Sequence, residues 1–374
     1  MRESIEMEDV FGLTDDLGPA RIVHLYQPNA NLKAIVVVDN VACGPSIGGT
    51  RMAPDVSLEE CFRLARAMTL KNAAAGLPHG GGKSVIFADP KMPVQDKEDL
   101  IRAFAGAIGQ IDDYIAGPDM GTDERCMAWI QDEIGRSVGL PPEIGGIPLD
   151  EIGATGFGLV AAIDVAREFC NLDLEGARVA VQGFGSVGRH AARFLAEKGA
   201  VLVAAADSGG TLADPNGIDI GAVNAIKAEG GSVTDHGTGQ VLDGEAIIDV
   251  ACDIWIPAAR PDVLRADNVG RLQARLVAQG ANIPVSEEAE RQLHERGVLN
   301  LPDFIANAGG VICAAAEYRG ATQTAALAEI DEKIRRNTKD ILKASTDSGE
   351  TPRQAANALA ERRLRNAIGY RRWS

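Results

Sequence analysis

Apolar residues change period several times along this chain, and each change marks an element. A short apolar run at 34–38 predicts a buried strand, and GPSIGGT at 44–50 predicts a glycine-bearing turn after it. Ser57 with Glu60 reads as a capping box that opens a helix. In that helix Cys61, Leu64, Met68 and Ala75 keep the 3–4 spacing of a buried stripe, and Lys71 falls on the same stripe. The helix stops at Gly76-Leu77-Pro78. His79-Gly80-Gly81-Gly82-Lys83 then runs into a strand at 84–87, and a second helix begins near Leu100. A strand from Tyr114 ends in a turn at Gly117-Pro118-Asp119-Met120-Gly121, with Asp123 and Glu124 opening the next helix.

Beyond Gly153 the pattern becomes an alternation of helix and strand. A helix at 155–170 precedes a strand at 178–181, the loop Gln182-Gly183-Phe184-Gly185-Ser186-Val187-Gly188, a helix to 198, and a strand at 201–206 that ends on Asp207. Strand, GxGxxG, helix, strand, acid is a dinucleotide-binding fingerprint in its proper context. Gly183 makes the turn, Gly185 admits a pyrophosphate to the backbone, and Gly188 lets the helix pack close to the strand. The helix N-terminus offers N–H groups to the phosphates. Asp207, nineteen residues past Gly188, is placed to bind ribose hydroxyls and to repel a 2′-phosphate, which favours NAD over NADP. Apolar segments at 246–250, 254–258 and 276–279 predict further strands of one parallel sheet. Ala258 and the stretch Gly280-Ala281-Asn282 then fall just past strand ends, on the rim where open α/β sheets bind ligands. GLPHGGGKS at 76–84 imitates a phosphate-binding P-loop but has five residues before its GK pair instead of four, and Leu77 follows its first glycine.

Composition narrows the class. With 374 residues the chain predicts two domains, and 42 glycines, above the usual ~7%, predict several close backbone approaches. A net charge of −16 speaks against a nucleic-acid partner. Arg362, Arg363, Arg365, Arg371 and Arg372 form a basic tail, read as a solvated final helix or a subunit contact. Six scattered cysteines have no metal-ligand spacing and read as reduced thiols of a cytoplasmic protein, with no metal. The opening MRESIEMEDV lacks the apolar core of a signal peptide, and no apolar run is long enough to span a membrane. Lysine is rarely buried without a partner, so Lys71 and Lys83, twelve residues apart near one core, mark a candidate site.

MTLKNAAAGLPHGGGKSVI, AGPDMGTDE, GATGFG, VQGFGSVG and DFIANAGGV together resemble the glutamate/leucine/phenylalanine/valine dehydrogenases, in the order the family has them, from about Gly44 to Glu317. The resemblance implies an α/β protein of two domains. A substrate and oligomerisation domain would span 1–147, completed by 345–374, and a Rossmann-type doubly wound domain 148–344. It implies reversible NAD-dependent oxidative deamination of an L-amino acid to a 2-oxo acid and ammonia, NADP not being excluded, in a homo-oligomer. By the same resemblance Lys71 binds the substrate α-carboxylate, Lys83 is the catalytic lysine and Asp119 the catalytic aspartate. Asn282 and Asn307 lie near nicotinamide and substrate, and Thr155 sits on a helix facing the cofactor. Glutamate-specific members carry a lysine where this chain has Ile47 and a serine where it has Ala314. Ile47, Gly117, Val311 and Ala314 therefore imply an apolar pocket of leucine, valine, phenylalanine or methionine type. PDMGTDERCMAWI and ATGFG lie nearer the glutamate branch, so a glutamate dehydrogenase with a rearranged pocket is the alternative. A silent dinucleotide-binding regulator is a third reading, opposed by Lys71, Lys83 and Asp119 standing together. Arg51, in a GGxR pattern, reads as structural rather than as a side-chain ligand.

Overall fold

The computed structural model describes residues 10–371; the opening MRESIEMED stretch and Arg372 of the basic tail lie outside the described residues. Contacts divide the chain into two units. The first runs to Pro148 and takes back Ala314–Ala321 and the chain from Ala360; the second is Leu149–Cys313 with Thr322–Leu359.

The first unit is built from β1 (Arg21–Gln27), β2 (Leu32–Asn40), β3 (Ser46–Ala53), α1 (Leu58–Ala74), β4 (Gly80–Phe87), α2 (Val94–Ile108), β5 (Tyr114–Pro118) and α3 (Glu124–Ile134). Its strands form one sheet in the order β1-β2-β4-β3-β5. Alternate residues serve two cores. Val36, Val38, Met52 and Ile86 pack with Phe104, Ile108, Met127 and Ile130 of α2 and α3. Ile35, Val37 and Val85 pack with Cys61 and Ala65 of α1 on the other face.

Several local expectations change here. The stretch 44–50 is largely the strand β3, and the three glycines before Lys83 lie inside β4 instead of leading into it. The reason is steric. A Cβ on Gly81 would run into the Thr69 backbone of α1, one on Gly80 into the Asn40 carbonyl, and one on Gly48 into the Gly82 carbonyl. The glycines let a helix and three strands approach backbone to backbone. For the same reason the buried face of α1 is Cys61, Ala65, Thr69 and Asn72, which leaves Leu64, Met68 and Lys71 on its half-buried shoulder. Ser57 caps α1 by accepting from Glu60 N at 3.1 Å, while the Glu60 carboxylate turns to Arg51. Finally, α2 starts at Val94, a turn and a half before Leu100.

The second unit contains α4 (Ala154–Ala166), β6 (Arg178–Gln182), α5 (Ser186–Ala196), β7 (Val201–Asp207), β8 (Gly210–Ala213), α6 (Ile220–Ala228), β9 (Gln240–Leu242), β10 (Ile254–Pro257), β11 (Leu276–Ala278), α7 (Glu287–Glu295), β12 (Leu299–Leu301), α8 (Asp303–Ala306) and α10 (Gln323–Ser348), with the first part of α9 (Gly309–Tyr318) and of α11 (Pro352–Ile368), whose remainders belong to the first unit. The sheet order is β12-β11-β10-β6-β7-β8-β9. From β6 the chain builds outward one way to β9, then returns to β10 on the other side of β6. That reversal is a topological switch point, which opens a crevice at the carboxyl ends of β6 and β10. The segment 246–250 is not a strand: Gly244–Asp249 is a 3₁₀ helix. Ile247 and Ile248 are buried from it, and the Ile247 carbonyl accepts from Trp255 Nε1 at 3.3 Å. The strands β8 and β9 pair antiparallel at that edge.

The chain rejoins the first unit at Ala360, later than residue 345, because α10 packs along α4 and Arg353 at the start of α11 is ion-paired to Glu290 and Asp303. Three arginines of the basic tail have partners within the chain. Arg363 donates to the Ala74 carbonyl at the end of α1, Arg365 pairs with Asp16 at 2.8 Å, and Arg371 Nε donates to the Ala42 carbonyl at 3.0 Å. A cation on the last carbonyls of a helix is favoured by the helix dipole. No helix of the described residues is long and apolar enough to cross a membrane, and none of their His, Cys, Asp and Glu side chains group into a metal site.

Candidate active site

Lys83 comes from the middle of β4 and is 4% exposed. Its ammonium is ion-paired to Asp119 Oδ2, just beyond the end of β5. The other carboxylate oxygen accepts from Arg51 Nε and from the Met120 N–H, at 2.9 and 2.6 Å. Register explains the meeting. Ile47 pairs with Gly81 on one side and Ile115 on the other, and Gly49 pairs with Gly117. Paired residues project from the same face of a sheet, so Ile47, Gly49, Gly117 and Lys83 share the face that α1 covers. A Cβ on Gly49 would lie 2.7 Å from Asp119 Oδ2 and 3.0 Å from Lys83 Nζ. Glycine at that position is a condition for the ion pair. The turn carrying Asp119 is pinned by Thr122, whose hydroxyl donates to the Thr50 carbonyl at 2.7 Å and accepts from Asp119 N at 3.0 Å.

Burial works against ionisation of Asp119, but the Lys83 and Arg51 charges and the Met120 N–H outweigh it and hold the carboxyl below the usual carboxylate range. Arg51 is bound between Asp119 and Glu60, so its guanidinium orients the aspartate. Lys71 stands half-buried in the last turn of α1. Thr69 beside it lies against Gly81, and Asn72 on its other side donates to the Gly80 carbonyl at 2.7 Å. The helix bearing Lys71 is thus locked onto the strand bearing Lys83. Ile47 is 4% exposed and Ala314, also in the first unit, 9%; Val311 falls on the second unit's part of α9.

In the second unit the loop after β6 has the geometry a dinucleotide needs. Gly183 adopts φ +97°, where a Cβ would strike Ala259 at 2.6 Å, and Gly188 packs directly against the Gly183 carbonyl. Gly185 faces open space, and no side chain caps the N-terminus of α5 behind it. The Phe184 N–H is tied to the Ala206 carbonyl at 3.0 Å and the Ser186 hydroxyl to Asp150 Oδ1 at 3.1 Å; Val187 lies in the first turn of α5. Ala258 N donates to Gln182 O at 2.6 Å, joining the two loops of the switch point. Asn307 Nδ2 donates to Ala281 O and Asn282 Oδ1, both at 3.1 Å. Its own Oδ1 is buried without a protein partner. Thr155 opens α4 with its hydroxyl facing Gly310.

Asp207 is already engaged by partners within its own unit. Its carboxylate accepts from Gly209 N (2.9 Å), Ser232 Oγ (2.7 Å), Lys227 Nζ (2.7 Å) and Val233 N (3.0 Å). Burial raises its pKa, but these donors prevail and bring it to about 2. Four donors fill the acceptor capacity of a carboxylate, so a ribose contact from Asp207 requires one of them to leave. Residues 207–210 and 241–244 line a cavity of about 540 Å³ beside it. The sequence singled out Lys83 and the glycine loop, and Asp119 through the family resemblance. It missed Gly49, Lys227 and Ser232, whose roles depend on strand register and on a turn twenty residues away.

The family model described as Glutamate/Leucine/Phenylalanine/Valine dehydrogenase matches residues 145–372, and its companion, the Glu/Leu/Phe/Val dehydrogenase dimerisation domain, matches 21–136. A glutamate dehydrogenase of Aeropyrum pernix is 37% identical over 89% of this chain and 85% of its own. An NADP(+)-dependent glutamate dehydrogenase of Pyrobaculum calidifontis is 38% identical over 90% and 86%. An NAD-specific glutamate dehydrogenase of Staphylococcus aureus is 35% identical over 90% and 85%. Among solved structures, the hetero-hexameric glutamate dehydrogenase of Thermus thermophilus in a leucine-bound form superposes with a TM-score of 0.83 at 30% identity, over 93% of this chain and 89% of that one. The L-tryptophan dehydrogenase of Nostoc punctiforme superposes with 0.74 at 27%, over 94% and 97%.

Proposed function

This chain belongs to the glutamate/leucine/phenylalanine/valine dehydrogenase family and is an NAD(P)-dependent amino-acid dehydrogenase, and from that premise we propose that it oxidatively deaminates an L-amino acid with an apolar side chain. The observation that carries the reading is the Lys83–Asp119 pair on a sheet face whose neighbouring side chain is the buried Ile47.

The dinucleotide, when bound at the 183–188 loop, supplies an acceptor for the hydride of the substrate α-carbon. The chain's own residues do the rest. Lys71 binds the α-carboxylate as a fixed cation. Lys83, once it has passed its proton to the Asp119 carboxylate against it, takes one from the water that attacks the α-iminium carbon. Asp119, held as a carboxylate by Arg51 and Lys83, receives and returns protons between the ammonium and the carbinolamine. A glutamate side chain would bring a second carboxylate to Ile47 and Ala314, neither of which can donate a hydrogen bond from its side chain. Burying it unpaired costs several kcal/mol, roughly one order of magnitude in specificity per 1.4 kcal/mol.

A second reading, glutamate as substrate, is supported by the names of the relatives at 35–38% identity. Initial rates with leucine, valine, methionine, phenylalanine, tryptophan and glutamate at alkaline pH separate the two. We expect the best apolar substrate to exceed glutamate in kcat/KM by at least about tenfold; glutamate ahead by that factor overturns the apolar reading. With Lys227 against Asp207, the charge that would repel a 2′-phosphate is offset, so NADP is expected to be accepted beside NAD. Self-association into a homo-oligomer is proposed from the match to a dimerisation domain over 21–136.

A further inference from the structure

Behind the loop that carries Asn282 lies a buried network of charged and amide side chains that the reaction does not use directly. Arg353, at the start of α11, donates from Nε to Glu290 Oε2 at 2.6 Å and from Nη2 to Asp303 Oδ1 at 2.9 Å and Gln279 Oε1 at 3.1 Å. Gln279 Nε2 in turn donates to Glu290 Oε1 at 2.7 Å and Asn300 Oδ1 at 3.0 Å. Glu290, Asp303 and Gln279 are 4%, 5% and 0% exposed. Two carboxylates buried this deeply demand a cation, and Arg353 is the side chain that satisfies both.

The second oxygen of Asp303 accepts from Ile283 N at 2.8 Å. Ile283 has φ +49°, a left-handed conformation that a β-branched residue adopts only under constraint. Its carbonyl accepts from Asp262 N at 3.0 Å, and Asp262 is itself left-handed at φ +54°. Two left-handed residues, Asp262 and the strained Ile283 that directly follows Asn282, are therefore laced together. The four-residue helix α8 grips this loop at both ends: Asp303 holds Ile283 N, and Asn307 holds Ala281 O and Asn282 Oδ1. Arg353 holds α8, with its guanidinium also lying 5.7 Å from the Phe304 ring centre.

We propose that Arg353 is a positioning residue for dinucleotide binding: through Asp303 it keeps the 280–283 loop in a strained shape that presents Asn282. The inference rests on the reading that this rim, at the carboxyl end of β11, meets the dinucleotide. Strain at Ile283 gives it a specific signature. Without Arg353 the loop relaxes, and a residue that tolerates positive φ at 283 removes the reason to relax.

The test is a fluorescence titration of NADH into the wild type, Arg353→Met, Arg353→Lys, Ile283→Gly and the Arg353→Met/Ile283→Gly double variant, with melting temperatures and apparent KM values alongside. Arg353→Met should raise the NADH Kd about tenfold or more, while the apparent KM for the amino acid at saturating dinucleotide stays within about twofold. Arg353→Lys, a point charge that cannot serve three acceptors at once, should fall between, and stands in if the methionine variant does not fold. Ile283→Gly should recover most of the lost affinity in the double variant. An unchanged NADH Kd in a folded Arg353 variant overturns the proposal, as does a loss that Ile283→Gly fails to recover, which would make Arg353 a general support of the core. If the wild type itself binds no NADH, the dinucleotide reading fails and takes this proposal with it; binding that Arg353 does not influence defeats the proposal alone.

Discussion

At the scale of single residues, the chemistry depends on an atom that is missing. Gly49 leaves room for Asp119 and Lys83 to meet, and a methyl group there would lie 2.7 Å from the carboxylate and 3.0 Å from the ammonium. These contacts and a third, to the Asp119 Cβ at 2.8 Å, are all to side-chain atoms and none is to backbone, so Gly49→Ala is expected to fold with Asp119 displaced. The price is misplacement of the proton-transfer pair, and errors of this size lower turnover by about tenfold to a hundredfold. Parallel kcat and NADH-binding measurements on Gly49→Ala and Lys83→Ala should show lowered turnover in the first, none in the second, and near-wild-type NADH affinity in both. Wild-type turnover in Gly49→Ala would mean that the ion-pair geometry has no bearing on the rate. Lys83 was legible in the sequence because a buried lysine after three glycines is unusual in itself, and Asp119 only through the family resemblance, since an acid in a Pro-Gly turn also reads as plain turn support. Gly49 was not, since only the pairing of β3 with β4 and β5 reveals what its missing side chain would strike.

At the scale of elements, the same division holds. Apolar runs around the GxGxxG pattern disclosed β6, α5 and β7 with their connecting loop, because local sequence determines a strand–turn–helix. The face of α1 was misread by one position, since its buried side carries Thr69 and Asn72, polar residues accepted there by Asp39 and by the Gly80 carbonyl. The apolar run at 246–250 predicts a strand and forms a 3₁₀ helix instead, because so short a run does not reveal its period. Asp207 is expected from the sequence as a ligand group; its carboxylate also pins the end of β7 to α6 and the segment after it, through Lys227, Ser232 and Val233. That role has a pH signature. Its pKa is depressed from 3.8 to about 2, so the stability it contributes is complete above about pH 4. It is lost as pH falls through the folded value near 2. Asp207→Asn turns an amide N–H toward Lys227 or toward the Gly209 and Ser232 donors, and should destabilise the protein by about 1–3 kcal/mol at pH 7. The deficit relative to wild type should shrink as pH drops below 4. Denaturant melts at pH 7 and pH 3 check it, and a deficit equal at both would remove charge as the cause.

At the scale of the whole molecule, two units with separate cores raise the question of whether they open together. The cysteines can answer it. Cys61 and Cys126 are buried in the first unit and Cys252 in the second. Burial pushes the Cys61 and Cys252 thiols up to about 12 and Cys126 to about 11, against weaker opposing effects of nearby charges. None is a thiolate at neutral pH, so a thiol reagent reaches them only when the surrounding structure opens. NADH binds the folded second unit on the reading above, and at about a hundred times its Kd it adds ~2.7 kcal/mol to whatever unit holds it. If each core opens by itself, Cys252 labelling slows about a hundredfold in NADH while Cys61 and Cys126 keep their rates. We expect that pattern, because the clusters around Phe104 and around Trp255 share no residue. Mass-spectrometric labelling of all three sites in mild urea, with and without NADH, reads it directly. Equal slowing at the three sites would show that the helices α9 and α11, each contributing residues to both units, bind the two cores into one cooperative fold.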